Sequence, residues 1–236
     1  MAVRHERRGH VLSVTIDRPE TRNAVDLDTL RSIETIMNDL DDARVVVLSG
    51  APPAFCSGAD LTGVELGEFT DTLQRVLVSF GAAPVITLAA VDGPALGAGS
   101  QLAAACDLRM STPESRFGVP AAKLGLAVDR WTVDRLVQEA GASVARRMLL
   151  TGETATGAEL LGGFVHRLGT VDEALAWAQS LCDLAPLTIR AHKLALEATV
   201  TDEEIEAARL AAWASQDANE GRRAFKEKRP PQFRGH

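Results

Sequence analysis

Two apolar runs, RVVVLSG (residues 44–50) and PVITLAAV (84–91), constrain the fold more than any other feature of this chain. Neither alternates apolar with polar residues. Each must therefore be covered on both faces, the condition of strands in a parallel sheet packed between helices. An amphipathic pattern, EFTDTLQRVLVSFGAA, lies between them and reads as the crossover helix that a parallel pair requires. Upstream, HVLSVTID (10–17) is β-branched and alternating, a strand. RPETRNAV follows as a loop. DLDTLRSIETIMNDLDD then carries Leu27, Leu30, Ile33, Ile36, Met37 and Leu40 at helical spacing, with Asp26 or Asp28 placed to cap it. LRMST is a further short strand.

Beyond Asp129 the pattern is mostly helical. DRWTVDRLVQEA, SVARRMLLTG, TATGAELLGG, VDEALAWAQSLCDLA, PLTIRAHKLALEATV and one long final helix, TDEEIEAARLAAWASQDANEGRRAFKEK, are expected. RPPQFRGH is irregular. Strand and helix alternate first and helices follow, an α/β core with a helical extension. The expected division is a core over 1–185 and a helical region over 186–236.

With 236 residues, a large core is available. A net charge of -7 argues against broad nucleic-acid or membrane-surface binding. No run is long enough to span a membrane, and MAVRHERRGH lacks a secretory apolar segment. Cys56, Cys106 and Cys182 form neither a disulfide framework nor a zinc pattern, and the five histidines are scattered. A cytoplasmic, metal-free protein is the expectation.

The chemistry concentrates in DGPALGAGSQLAAACD, where Gly93, Gly97 and Gly99 lie between a strand and a small-residue helix. Free N–H groups at such a helix start can bind an anion or a polarised carbonyl; equally, small residues there can serve tight packing. The dinucleotide fingerprint fails at Leu102, and no Gly-Lys-Ser/Thr triplet makes a phosphate loop. Ser57 and Ser100 sit in no nucleophile elbow. A second loop of the same build, AFCSGADL, follows the strand RVVVLSG. Two converging N–H donors would make an oxyanion hole.

AFCSGADL, AAVDGPALGAGSQLAAACDLR and FGVPAAKLGL, in this order, resemble the crotonase family of enoyl-CoA hydratases and isomerases. RPETRNAV and AFKEKRPPQF extend the likeness over nearly the whole chain. The resemblance implies a spiral of ββα units, a C-terminal helical region that builds homotrimers or dimers of trimers, and an acyl-CoA thioester as ligand, with no further cofactor. It assigns the oxyanion donors to the N–H groups of Ser57 and Ala98, beside Gly97; alanine at 98 departs from the family's glycine. Arg22, Ala24, Ala59, Asp60 and Leu61 match positions lining coenzyme A. Phe225 and Lys228 match C-terminal contacts to it, often made across a subunit boundary.

The two glutamates of the hydratases fall at Gln101 and Ala121. Neither can carry a proton to or from water, so hydratase chemistry is expected to be weak or absent. Asp129 matches a position where some members carry a working aspartate, and it also reads as a helix cap. Trp131 is placed to wall off the acyl pocket or to pack in the core. The combination resembles a subgroup from mycolic-acid-producing bacteria that binds long-chain acyl-CoA without turning it over. Two functions stay open: an acyl-CoA binder, and a hydratase/isomerase-class enzyme working through Asp129.

Overall fold

The computed structural model describes every residue except 1, 61, 63–65, 198 and 199. β1 (Val3–Arg8) and β2 (Val11–Ile16) form an antiparallel hairpin. β1 escapes the sequence reading because only Val3 of VRHERR is buried; it is an edge strand whose charges face solvent. From β2 the chain crosses through α1 (Leu27–Asn38) to β3 (Val45–Gly50), and through α2 (Leu66–Ala82) to β4 (Ile86–Val91). β2, β3 and β4 pair in parallel. Asp26 caps α1 by accepting from the Thr29 N–H at 2.8 Å.

A short β5 (Pro94–Leu96) leads into α3 (Ala98–Ala105), and β6 (Leu108–Ser111) rejoins the main sheet. β7 (Arg116–Gly118) then pairs with β5. After a 3₁₀ turn at Pro120–Leu124 comes α4 (Arg130–Arg146), which is interrupted at Gly141 (φ 80°, ψ 155°) and runs into a π turn at Arg147–Thr151. The expected helix TATGAELLGG does not form. It supplies β8 (Ala155–Thr156), which pairs with β7, and then a series of turns. β9 (Arg167–Leu168) completes a six-stranded sheet of order β1-β2-β3-β4-β6-β9 beside a three-stranded sheet β5-β7-β8.

The main sheet is buried on both faces. Val46, Leu48 and Ala89 pack with Leu30 and Ile33 of α1, Phe69, Leu77 and Phe80 of α2, and Leu102 of α3. Val45, Val47, Leu88 and Ala90 face the other way, against Ala174 and Ala178 of α5 (Val171–Leu181). This is why the two strands read as unbroken apolar runs.

α6 (Pro186–Leu196) is pinned to the core by Lys193. Its buried ammonium donates to the carbonyls of Phe80 (3.1 Å) and Val85 (2.7 Å) and pairs with Asp107 at 2.8 Å. The single long terminal helix is two, α7 (Asp202–Ala214) and α8 (Gln216–Glu227). Ser215 is extended between them, and its hydroxyl accepts from the Ala218 N–H, opening a new helix in the way of an N-cap. The tail folds back on α8, where Asp217 accepts from the N–H groups of Arg234 (2.7 Å) and Gly235 (2.8 Å). Among the described residues, no helix is long and apolar enough to cross a membrane.

Candidate active site

The loops after β3 and β5 are stitched together through Cys56. Its N–H donates to Pro94 O at 3.0 Å, and its carbonyl accepts from the Leu96 N–H at 2.9 Å. Gly99 packs directly on this residue: a Cβ there would stand 2.2 Å from Cys56 O. Gly97 has φ +53°, and a Cβ on it would lie 3.7 Å from the Cα of Gly58, itself at φ +129°. What approaches the glycine-rich stretch so closely is thus the other loop. Burial pushes the Cys56 thiol up to about 12, so it is no nucleophile. The Ser100 hydroxyl donates to Ala95 O (2.6 Å) and accepts from the Gly118 N–H (2.9 Å), locking the start of α3 to both short strands.

The N–H groups of Ala98, Ser57 and Ala59 differ in what they meet. Ala98 opens α3, ahead of the first intrahelical bond, which runs from the Gln101 N–H to Gly97 O. Its N–H has no partner among the described residues. Ser57, by contrast, donates its N–H to Arg22 O at 3.0 Å and its hydroxyl to Thr21 O at 3.0 Å. The donor that the sequence reading placed at Ser57 is therefore occupied. Two residues on, Val25 and Ala59 form a parallel bridge: the Val25 N–H donates to Gly58 O and the Asp60 N–H to Val25 O. In that pattern the N–H of the bridged residue points away from its neighbour. Ala59 therefore turns its N–H away from Val25, and no described residue accepts it.

Ser57, Gly58, Ala59, Gly97 and Ala98 all border one cavity of about 390 Å³, within the range of ligand sites. Phe69, Leu73 and Leu77 of α2 form an apolar wall; Ala121, Leu124, Leu126, Ala127 and Val128 form another. The α2 residues recur every fourth position and so share one face of the helix that the sequence reads as the crossover between β3 and β4. Gln101 enters the cavity and is held by its Nε2, which donates to Thr132 Oγ1 at 2.7 Å. Asp129 lies on the rim and caps α4, accepting from the Thr132 N–H at 2.9 Å. Thr132, absent from the sequence reading, thus joins two of the cavity's polar groups, Gln101 and Asp129. No glutamate lines the cavity among the described residues.

Other expected contacts are not brought here. Trp131 lies against the core with the Arg135 guanidinium 5.4 Å over its ring and does not line the cavity. Arg22 and Ala24 lie outside the lining, as does Asp60, whose carboxylate is engaged by Arg18 and Thr62. The Thr62 hydroxyl and N–H, backed by Arg18, hold that carboxylate below its usual range. Leu61 lies outside the described residues. Phe225, 89% exposed, and Lys228, in the left-handed region at the end of α8, touch no part of this cavity. A larger cavity, about 790 Å³, lies between α8 and the tail. Its Glu220 is already paired with Arg223 and Arg229, and its Asp217 with the tail backbone. Among the described residues no cluster of His, Cys, Asp and Glu could hold a metal.

A model of the family described as enoyl-CoA hydratase/isomerase matches residues 6–236. The chain belongs to that family. It is 40% identical over 233 residues to the probable enoyl-CoA hydratase echA6 of Mycobacterium tuberculosis, covering 95% of this chain and 96% of the relative. A putative enoyl-CoA hydratase of Thermus thermophilus is 35% identical over 249 residues, covering 96% and 98%. Among solved structures, an enoyl-CoA hydratase from Bacillus anthracis superposes with a TM-score of 0.90 at 26% identity, over all of both chains. EchA1 from Mycobacterium marinum superposes with 0.83 at 31%, again over all of both. The α/β fold is the crotonase fold of these structures.

Proposed function

We propose that this enoyl-CoA hydratase/isomerase family protein binds an acyl-CoA thioester in the 390 Å³ cavity, with its thioester oxygen between the N–H groups of Ala59 and Ala98, and that it hydrates enoyl-CoA weakly or not at all. The observation that carries the reading is the pairing of two unpartnered N–H groups with a cavity that offers Gln101 and Ala121 where hydratases present glutamates. Two donors in a dry cleft favour an oxygen that bears negative charge. Hydration also needs one group to take a proton from water and another to deliver one to carbon, each contributing roughly 10²–10⁴-fold. Gln101 can hold a water but not take its proton; Ala121 can do neither. Coenzyme A belongs to the ligand, and no further cofactor enters.

A second reading rests on Asp129, which lines the same cavity with one oxygen committed to the cap. There it would act as acid or base of an isomerase-class enzyme. Residues 186–236 are proposed as the assembly region of a homotrimer or dimer of trimers, in the cytoplasm. Trp213 and Phe225, 65% and 89% exposed, support that role, and Phe225 with Lys228 would then reach coenzyme A in a neighbouring subunit.

The test is mass spectrometry of enoyl-CoAs of graded length incubated with the protein in D₂O. Recovery of unchanged enoyl-CoA, from a protein that binds it, is expected. Added water would refute the inference from Gln101 and Ala121. Deuterium on carbon without added water, lost in Asp129→Asn, would establish the second reading.

A further inference from the structure

The N–H of Ala59 owes its direction to a strip of chain that never touches the cavity. Residues 21–25 lie along residues 57–60, bound by Ser57 N–H to Arg22 O, Val25 N–H to Gly58 O (2.9 Å) and Asp60 N–H to Val25 O (2.8 Å). To follow this path, Arg22 and Asn23 both take left-handed backbone, φ +53° and +59°. Two successive non-glycine residues in that region are costly unless the surroundings impose them. Asn23 is fully buried and donates to Ala51 O and Ala54 O at 2.6 Å each, while its Oδ1 accepts from the Arg18 N–H at 2.8 Å.

Arg18 closes the arrangement. Its guanidinium donates to Ala24 O and pairs with Asp26 (2.9 Å) and Asp60 (3.2 Å), with only 16% of the side chain exposed. It therefore grips the residues on either side of the Val25–Ala59 bridge. The two carboxylates do not depend on it equally. Asp26 is also held by the N–H and hydroxyl of Thr29. Asp60 keeps Thr62 alone besides, among the described residues.

We infer that Arg18 is a positioning residue for ligand recognition: through Asp60 and Ala24 it fixes the direction of the Ala59 N–H, and so sets how strongly this site distinguishes a thioester carbonyl from a ligand without one. The inference rests on the proposed donor pair. Loss of the guanidinium frees the Asp60 side of the bridge and leaves the α1 cap in place.

The test compares two ligands, butyryl-CoA and the thioether butyl-CoA, which lacks only the carbonyl oxygen. Affinities are measured by calorimetry on the full-length protein as it assembles, for wild type, Arg18→Gln and Asp60→Asn. Two hydrogen bonds to the oxygen make the wild type favour the thioester by on the order of tenfold. Arg18→Gln is expected to bring that ratio close to one while thioether affinity stays unchanged. Asp60→Asn, which keeps the shape and an acceptor, is expected to fall between. It also serves if Arg18→Gln does not fold. A wild-type ratio of one refutes the donor pair and, with it, this inference. A wild-type preference that survives intact in both variants, or variants that weaken both ligands equally, would overturn the role of Arg18 and leave the donor pair standing.

Discussion

Gly99→Ala isolates the contact on which the site is built. Gly99 is in the first turn of α3 and has no positive φ, so its backbone accepts alanine. Helix propensity alone would favour the change by up to about 1 kcal/mol. Space forbids it. The new Cβ would lie 2.2 Å from Cys56 O, 2.9 Å from Cys56 Cβ and 3.0 Å from Cys56 C. Cys56 cannot retreat freely, since its carbonyl and N–H are bonded to Leu96 and Pro94 at 2.9 and 3.0 Å. Overpacking costs about 1–3 kcal/mol, and a backbone obstacle puts this case at about 2–3. For a chain of this size each kcal/mol moves the melting temperature by about 2–4 °C. A fall of about 4–12 °C is expected by calorimetry or circular dichroism, together with weaker acyl-CoA binding as the two loops part. Gly97→Ala is the comparison. Its Cβ would find room, 3.7 Å from Gly58 Cα, but at φ +53°, ψ -118° it would hold backbone that side-chain-bearing residues rarely adopt, at about 1–3 kcal/mol. If Gly99→Ala melts with the wild type, the loops are not held by this contact and the account of the glycine-rich stretch is wrong.

Asp129→Ala should lower stability by about 1 kcal/mol through loss of the α4 cap, whereas Asp129→Asn, an equally good cap, should melt like the wild type; equal losses in a melting experiment would remove the capping role. Lys193→Met leaves Asp107 without its buried ammonium, and breaking such a pair costs about 3–5 kcal/mol, so denaturant unfolding should show a loss of at least about 3 kcal/mol and an unchanged midpoint would refute the anchor. Glu220 is held well below the usual carboxylate range by the side chains of Arg229 and Arg223 and by the Gln232 N–H. A depressed folded pKa contributes stability that is full above the unfolded value and is lost as pH falls through the folded one. Glu220→Gln should therefore melt below the wild type at neutral pH, and the gap should narrow only as pH drops under about 4; a gap independent of pH would exclude the carboxylate as its source.

The parallel core was legible because its signal is strong and local. RVVVLSG and PVITLAAV are apolar on both faces, and the helices between them repeat at 3.6 residues. What escaped was set by partners distant in sequence. β1 is a strand because β2 offers it an edge, not because VRHERR favours one. TATGAELLGG has helical composition, but Ala155 and Thr156 are taken by β7. The long terminal pattern broke at Ser215, a residue whose preference for caps was there to be read.

The proposed donor pair departs from the sequence reading by two residues at one of its positions, and the departure is physical. AFCSGADL offers three successive N–H groups after Cys56, and composition does not rank them. Pairing does. Ser57 is claimed by Arg22, and the Val25–Ala59 bridge leaves Ala59 facing the other way. The sequence does carry a trace of this decision. Asn is among the few non-glycine residues that enter left-handed backbone readily, and Asn23 follows Arg22 directly in RPETRNAV. A double left-handed step there brings the strip onto residues 57–60 in the observed register. A shift by one residue would exchange bonded for open N–H groups, and the donor opposite Ala98 would be lost. Asn23→Ala puts this to measurement. It removes two bonds to Ala51 and Ala54 and one from Arg18, leaving buried carbonyls unpaired at about 1–3 kcal/mol each. Stability should fall by at least about 3 kcal/mol, and the preference for a thioester over a thioether should fall with it. Loss of stability with the preference intact would mean that the register is set elsewhere.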